Sequence, residues 1–202
     1  MARMMKKEVP PHIVIPDTSV LWHADKTLVV DPAVSAFWND NSKEFSLELV
    51  VPQVVKGEIL FQQTTSANRA TGQIDELMSK VSAISAHKYS HRIKPDELKQ
   101  RVESRFDKWL STCHGTIEPV PLRIDWSRLV NDAIWRVPPF AEDRDNRDFE
   151  KGFRDCVILE TVVEYCKHHT QTDISIALIC GDSLLREAAD SRLVTDARFS
   201  SY

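Results

Sequence analysis

Four acidic residues stand where carboxylates are unusual, because each of them adjoins apolar residues. Asp17 follows an apolar run after a single proline, and Asp182 follows another after a single glycine. Glu58 and Asp155 each share a helical face with apolar neighbours near the start of a predicted helix. Buried carboxylates are rare unless they are paired, hydrogen-bonded or bound to a metal ion. The four acids are therefore candidates for metal chemistry, provided that the fold brings them together.

The apolar runs predict strands of a parallel sheet, which would bring the four acids to one edge. The segments "HIVI" (12–15), "FSLELVVP" (45–52) and "DISIALIC" (173–180) are typical of buried strands, and a shorter strand is expected in 115–122. Helical patterns alternate with them, which favours an α/β fold with a mostly parallel central sheet flanked by helices. In such a sheet, the carboxyl ends of strands and the amino ends of helices meet at one edge. Clustered carboxylates there would repel one another, and Mg²⁺ or Mn²⁺, which prefers oxygen ligands, relieves that repulsion.

The helical patterns also predict an elaboration of the fold over about residues 54–112. Its second part starts with a proline and two acids and repeats apolar residues at helical spacing. The almost wholly polar segment "AEDRDNRDFE" predicts an exposed loop over 141–150. The predicted helices cover 54–86 with interruptions near 67–72, and then 95–112, 125–135, 152–166 and 183–190.

Composition predicts a single domain spanning residues 1–202. No apolar run is long enough to cross a bilayer, and the basic amino terminus lacks the apolar stretch of a secretory signal, so we expect a cytoplasmic protein without a membrane partner. The net charge of −4 argues against a protein that coats nucleic acid by bulk charge. It does not exclude nucleic acid as a substrate, because a few local cations can bind the phosphates.

The four cysteines contain no CxxC pair and predict reduced thiols. Cys113 lies beside His114, and Cys166 lies near His168 and His169. Because neither spacing matches a zinc-finger pattern, a zinc site is not favoured.

Each acid alone also has a simpler interpretation. Asp17 and Asp182 can cap the helix that follows each of them. Glu58 can pair with a lysine or arginine at the end of its helix, and Asp155 can pair with Arg154. The occurrence of all four acids in matching topological positions favours a shared site.

The four acidic motifs resemble those of PIN-domain nucleases and occur in the same order. The resemblance covers about residues 12–202 and is carried by "PDTSVL", "VPQVVKGEI", "GFRDCVILETV" and "ICGDSLL". The segment "PPF", followed by a polar loop and "EKGFRD", is similar to one bacterial PIN-like subgroup with a long helical insertion. The resemblance implies a three-layer PIN-like fold in which Asp17, Glu58, Asp155 and Asp182 are the catalytic and metal-binding residues.

The resemblance extends to the residues beside these acids. Thr18 and Ser19 match the small polar positions after the first acid, and Ser183 stands beside the last acid and could help to hold it. Many members of the family have threonine or serine and then asparagine before the last acid, whereas Cys180 and Gly181 occupy those positions here. The family also ends in a further strand, and "ARFSSY" resembles that strand cut short at the end of the sequence.

The acids and the resemblance together predict a metal-dependent endoribonuclease that hydrolyses RNA with one or two Mg²⁺ or Mn²⁺ ions. Lys151 and Arg154 flank Asp155 and could bind phosphate oxygens, although solvated surface charge is the commoner role of such residues. Single-stranded DNA is an alternative substrate. The family also allows a toxin or defence role, a homodimer and a cognate inhibitor protein.

Two other functions fit the same residues. A PIN-like module can bind nucleic acid or protein without catalysing a reaction. An aspartyl phosphotransferase or phosphatase would use Asp17 as its nucleophile, but such enzymes usually need a second acid two residues later, where this chain has Ser19. The basic segment "HKYSHRIK" (87–94) either contacts a phosphate backbone or is a solvated helix end or loop.

Overall fold

The computed structural model describes residues 11–202 except 26, 92, 143–149, 170–172 and 195. Within this part of the chain the strands are β1 (His12–Pro16), β2 (Leu47–Pro52), β3 (Thr116–Glu118), β4 (Ala141–Glu142), β5 (Glu150–Lys151), β6 (Ser175–Ile179) and β7 (Phe199–Ser201). The helices are α1 (Thr18–Leu21), α2 (Pro32–Asn41), α3 (Gln53–Ser85), α4 (Pro95–Thr112), α5 (Trp126–Ile134), α6 (Phe153–His168) and α7 (Ser183–Leu193).

The central feature is a five-stranded sheet with the strand order β3-β2-β1-β6-β7, in which every neighbouring pair is parallel. Helices flank this sheet, which confirms the predicted three-layer α/β fold. None of the helices in the described ranges is long and apolar enough to cross a membrane.

Strand β1 lies in the middle of the sheet, between β2 and β6. The register pairs Val14 with Leu49 of β2 and with Ala177 of β6. Branched apolar residues dominate these strands and pack well on a pleated surface that is covered on both sides. Because β1 and β6 are parallel, Asp17 and Asp182 follow the same edge of the sheet.

Helix α6 is anchored in the core and carries Asp155 in its first turn. Ile158 and Val162 of this helix are fully buried. Gly152 precedes the helix with a φ of 113°, and a Cβ built on it would lie 2.4 Å from the carbonyl oxygen of Pro139. Glycine is therefore required where the chain enters α6.

The predicted helical elaboration consists of α3 and α4, which an ion-pair cluster ties together. The Nζ atom of Lys56 in α3 lies 2.7 Å from an Asp107 carboxylate oxygen and 3.5 Å from one of Glu103, both in α4. Phe106, on the same helix, is fully buried.

The expected interruption near residues 67–72 is wrong, because α3 is one continuous helix of 33 residues. Gly72 lies inside it, and Thr71 donates a hydrogen bond of 3.0 Å to the carbonyl of Ala67 within the helix. A single glycine costs a helix about 1 kcal/mol, which the remaining residues of a long helix can offset.

Two further elements differ from the sequence-based expectation. Helix α2 was not predicted, although Asp31 caps it by accepting from the Ala33 amide at 2.8 Å and a proline follows at its first position. Trp38 alone is buried on α2, so the helix shows little apolar periodicity. In the segment expected to be a loop, β4 and β5 pair as antiparallel strands, whereas residues 143–149 lie outside the described residues.

The entry into α6 can be tested by replacing Gly152 with alanine. We expect Gly152→Ala to lower the free energy of unfolding by roughly 2–4 kcal/mol, because alanine disfavours the positive φ and its Cβ meets backbone atoms. The measurement is equilibrium unfolding in urea. Gly72→Ala is the matched control, because a Cβ there meets nothing within 4 Å, and it should raise stability by about 0.5–1 kcal/mol. Equal effects of the two substitutions would contradict this explanation.

Candidate metal centre

Asp17 is held at the junction of β1 and α1. Its amide donates to the Ile179 carbonyl at 2.8 Å, which fixes the end of β1 against β6. Its carboxylate is 5% exposed and accepts, through Oδ2, from the amide of Ser19 at 3.2 Å and from the Ser19 hydroxyl at 2.7 Å. Asp17 therefore caps α1, as the simpler interpretation expected, and its carboxylate lies at the sheet edge as well.

Asp182 occupies the corresponding junction between β6 and α7. Its carboxylate accepts, through Oδ1, from the amides of Leu184 at 2.7 Å and Leu185 at 3.2 Å, and so caps α7. Ser183 is exposed at the first position of that helix. Asp182, unlike Asp17, is exposed to solvent.

A serine hydroxyl links the two junctions. Ser19 donates to Asp17 and accepts from the amide of Gly181 at 2.9 Å. A Cβ at position 181 would lie 3.1 Å from this hydroxyl oxygen, so glycine permits the close approach. The sequence identified Ser19 as a supporting residue but did not predict its bond with the Gly181 amide. The available signal was the glycine itself, which stands directly before Asp182 and permits a close approach.

Glu58 is paired, but with a residue of α6 and not, as the simpler interpretation expected, with a cation at the end of its own helix. Its carboxylate accepts from the Thr18 hydroxyl at 2.8 Å and forms an ion pair with Arg154 of α6. The side chain of Glu58 is only 16% exposed. Val55, three residues before Glu58, is fully buried, whereas Phe61, three residues after it, is 69% exposed, so this helical face is buried only at its start.

Asp155 is the acid whose ionisation is most affected by the others. The pKa of its carboxyl is raised from 3.8 to about 6, first by burial and then by the charges of Asp17, Asp182 and Glu58, against the opposing effect of Arg154. Because salt screens charges over about 8–10 Å, such effects require nearby groups. The structure thus brings the four predicted acids together at the carboxyl edge of the sheet.

The two candidate phosphate-binding residues lie beside this cluster. Arg154 has 61% of its side chain exposed and pairs with Glu58 rather than with its neighbour Asp155. Lys151 is exposed in β5 and stands opposite Ala141 of β4. Both cations adjoin the amino end of α6.

The donor set suits a hard divalent cation in its chemistry. All four side chains supply carboxylate oxygens, and the hydrogen bonds of Asp17 and Asp182 engage one oxygen of each. In the described ranges, however, no three histidine, cysteine, aspartate or glutamate side chains are arranged to enclose a metal ion. Binding would therefore require small rotations of these side chains.

The raised pKa of Asp155 predicts how stability depends on pH in EDTA. A native carboxyl with a raised pKa binds its proton more tightly than the unfolded chain does, so this stabilisation is complete below pH 3.8 and is lost as the pH rises through about 6. Asp155→Asn should remove the loss and raise the free energy of unfolding at pH 7.5 by roughly 1 kcal/mol after solvent screening. Urea unfolding of both proteins at pH 5 and pH 7.5 measures this difference in the free energy of unfolding. Asp173→Asn, at an exposed position before β6, is the control, and an identical response of both variants would contradict the prediction.

Comparison with known protein families agrees with this geometry. A family model of the PIN domain matches residues 14–183, which run from β1 to the start of α7 and include all four acids. A search of curated proteins gave no significant match. PIN domains are in general nucleases that bind nucleic acid and typically use divalent metals. Because the match covers most of its length, the chain belongs to the PIN-domain family.

Proposed function

We propose that the protein is a metal-dependent endoribonuclease that hydrolyses phosphodiester bonds of RNA with Mg²⁺ or Mn²⁺. The observation that carries the proposal is the convergence of four carboxylates at one edge of a PIN-type sheet. A bound divalent ion lowers the pKa of water and stabilises negative charge on a leaving oxygen. In the hydrolysis, water forms a new bond to phosphorus, the bond to the leaving nucleotide oxygen breaks, and that oxygen takes up a proton.

The four acids have different roles in this proposal. Asp17 and Asp155 would hold the metal ion directly, and Asp182 would complete the site directly or through a water molecule. Glu58 would either bind a second ion or orient the attacking water by accepting a hydrogen bond from it. The Thr18 and Ser19 hydroxyls hold Glu58 and Asp17, and Ser183 adjoins Asp182.

Arg154 and Lys151 are the proposed contacts to substrate phosphate. The structure gives the guanidinium of Arg154 one ion pair, with Glu58, and its exposed position leaves further N–H groups for phosphate oxygens. Their charge would also offset the repulsion between an acidic site and a polyanionic substrate. RNA is the proposed substrate, with single-stranded DNA as the alternative.

A second candidate function is a binding module that does not cleave nucleic acid. Its support is that three of the acids already have structural partners: Asp17 and Asp182 cap helices, and Glu58 pairs with Arg154. In such a module the carboxylates would position local structure rather than bind metal.

Cleavage of RNA in Mn²⁺ tests the proposed reaction. We expect Asp17→Asn and Asp155→Asn each to lower kcat by at least about 100-fold, because each removes a ligand charge at the reacting phosphate. Cleavage of an end-labelled RNA, resolved on a denaturing gel, measures this effect. Asp173→Asn should retain wild-type activity. Wild-type rates in either ligand variant would show that the mechanism is wrong.

Binding of Mn²⁺ distinguishes the enzyme from the binding module. The wild-type protein should bind Mn²⁺ with a Kd below about 1 mM and gain about 2.7 kcal/mol of stability at a hundredfold excess over Kd. The double variant Asp17→Asn/Asp155→Asn should bind at least about tenfold more weakly, because an oxygen site loses two charges. Isothermal calorimetry with a parallel melting curve gives both quantities. A wild-type protein that takes up no Mn²⁺ at millimolar concentration would favour the binding module.

A further inference from the structure

Helix α4 carries two of its acids and three of its cations on different faces. Glu103 and Asp107 turn toward Lys56 of α3, which pairs with both. Arg101, Arg105 and Lys108 are spaced by four and three residues and therefore share another face, which spans roughly 10 Å of the helix. We call these three residues the α4 basic stripe. All three of its side chains are exposed.

The α4 basic stripe has no carboxylate partner in the described part of the chain. Among the residues that the structure describes, no aspartate or glutamate forms an ion pair with Arg101, Arg105 or Lys108. By contrast, Arg128 and Arg192 both pair with Glu160. In a protein whose net charge is −4, an unpaired row of cations is a local departure from the overall charge.

The stripe borders a groove between α2 and α4. The groove has a volume of about 420 Å³, and no carboxylate lines it. Arg105 and Lys108 line one side, while Ser35 and Asn39 of α2 supply a hydroxyl and an amide on the other. On its floor, the indole N–H of Trp109 donates to the Ser35 hydroxyl at 3.1 Å. Because Val29 and Val30 also line it, the groove suits a ligand that carries negative charge and hydrogen-bond acceptors beside an apolar surface.

Arg105 also bonds the segment that follows α1. Its Nη2 donates to the carbonyl of Thr27 at 2.8 Å. Thr27 lies in the segment that follows α1, the helix that Asp17 caps. Arg105 therefore links α4 to the segment that follows the helix capped by Asp17.

We propose that the α4 basic stripe and its groove bind the sugar-phosphate backbone of a single RNA strand at nucleotides outside the cleaved bond. This inference rests on the proposed ribonuclease function. Unpaired cations in a row are what a polyanion recognises, since each phosphate contact releases counterions. In this proposal Arg154 and Lys151 bind the phosphate at the cleaved bond, and the α4 basic stripe binds the phosphates of the flanking nucleotides.

Salt-dependent binding without metal tests the inference separately from cleavage. The probe is a fluorescein-labelled 20-nucleotide RNA, whose affinity is measured by anisotropy in EDTA between 50 and 200 mM salt. The triple variant Arg101→Gln/Arg105→Gln/Lys108→Gln should bind at least tenfold more weakly at low salt. The slope of log K against log salt should become less steep by about 2, because each of the three lost single-strand phosphate contacts contributes about 0.7 to its magnitude.

The control removes three exposed cations elsewhere, so that the change in net charge is matched. Lys43→Gln/Lys80→Gln/Lys167→Gln should leave the slope unchanged. Because Arg105 also bonds Thr27, the double variant Arg101→Gln/Lys108→Gln is measured too, with its Tm, and should lose about 1.4 of the slope. Equal binding by the two triple variants would overturn the inference.

Two further measurements separate the alternatives. AMP and inorganic phosphate should not displace the 20-nucleotide RNA at concentrations below 1 mM, and displacement that depends on the stripe would show a site for small phosphates instead. In Mn²⁺, the stripe variant should cleave a dinucleotide at the wild-type rate but show a raised KM for the long RNA. If the wild-type protein cleaves neither, the proposed function fails, whereas the binding measured in EDTA still decides whether the stripe holds RNA.

Discussion

Mutual repulsion among four carboxylates is the constraint around which one edge of the sheet is organised. Asp17 and Asp182 are held by hydrogen bonds from the starts of α1 and α7, and Glu58 is held by Thr18 and Arg154. Among the described residues no donor satisfies Asp155, and its pKa rises to about 6. Burial and the charges of the other three acids both disfavour the ionised form of Asp155, so a cation would stabilise this carboxylate most.

The sequence was sufficient to predict the elements that bring the acids together. Apolar runs that end on Asp17 and Asp182 indicated parallel strands, and the apolar face of α6 indicated the orientation of Asp155. Both patterns are local, and parallel topology then determines which ends meet.

The partners of the charged side chains could not be predicted in the same way. Arg154 pairs with Glu58, 96 residues away in sequence, rather than with the adjacent Asp155. Likewise, helical periodicity predicted α4 but not that Lys56 pairs with Glu103 and Asp107. Nor did it predict that the α4 basic stripe has no carboxylate partner among the described residues. A long flexible side chain finds its partner only after helices have packed, so periodicity contains no information about that choice.

The position of β1 determines the order in which the acidic edge can form. Its neighbour β2 follows it closely in sequence, whereas the pairing of His12 with Ser175 closes a separation of 163 residues. Long-range pairing of this kind is slow, although the added loop-closure entropy is modest. During synthesis, a chain that has not reached β6 leaves one side of β1 without its strand partner and has no Asp182 beside Asp17. Any hydrolytic capacity of this edge therefore arises late, after nearly all of the PIN domain has been made.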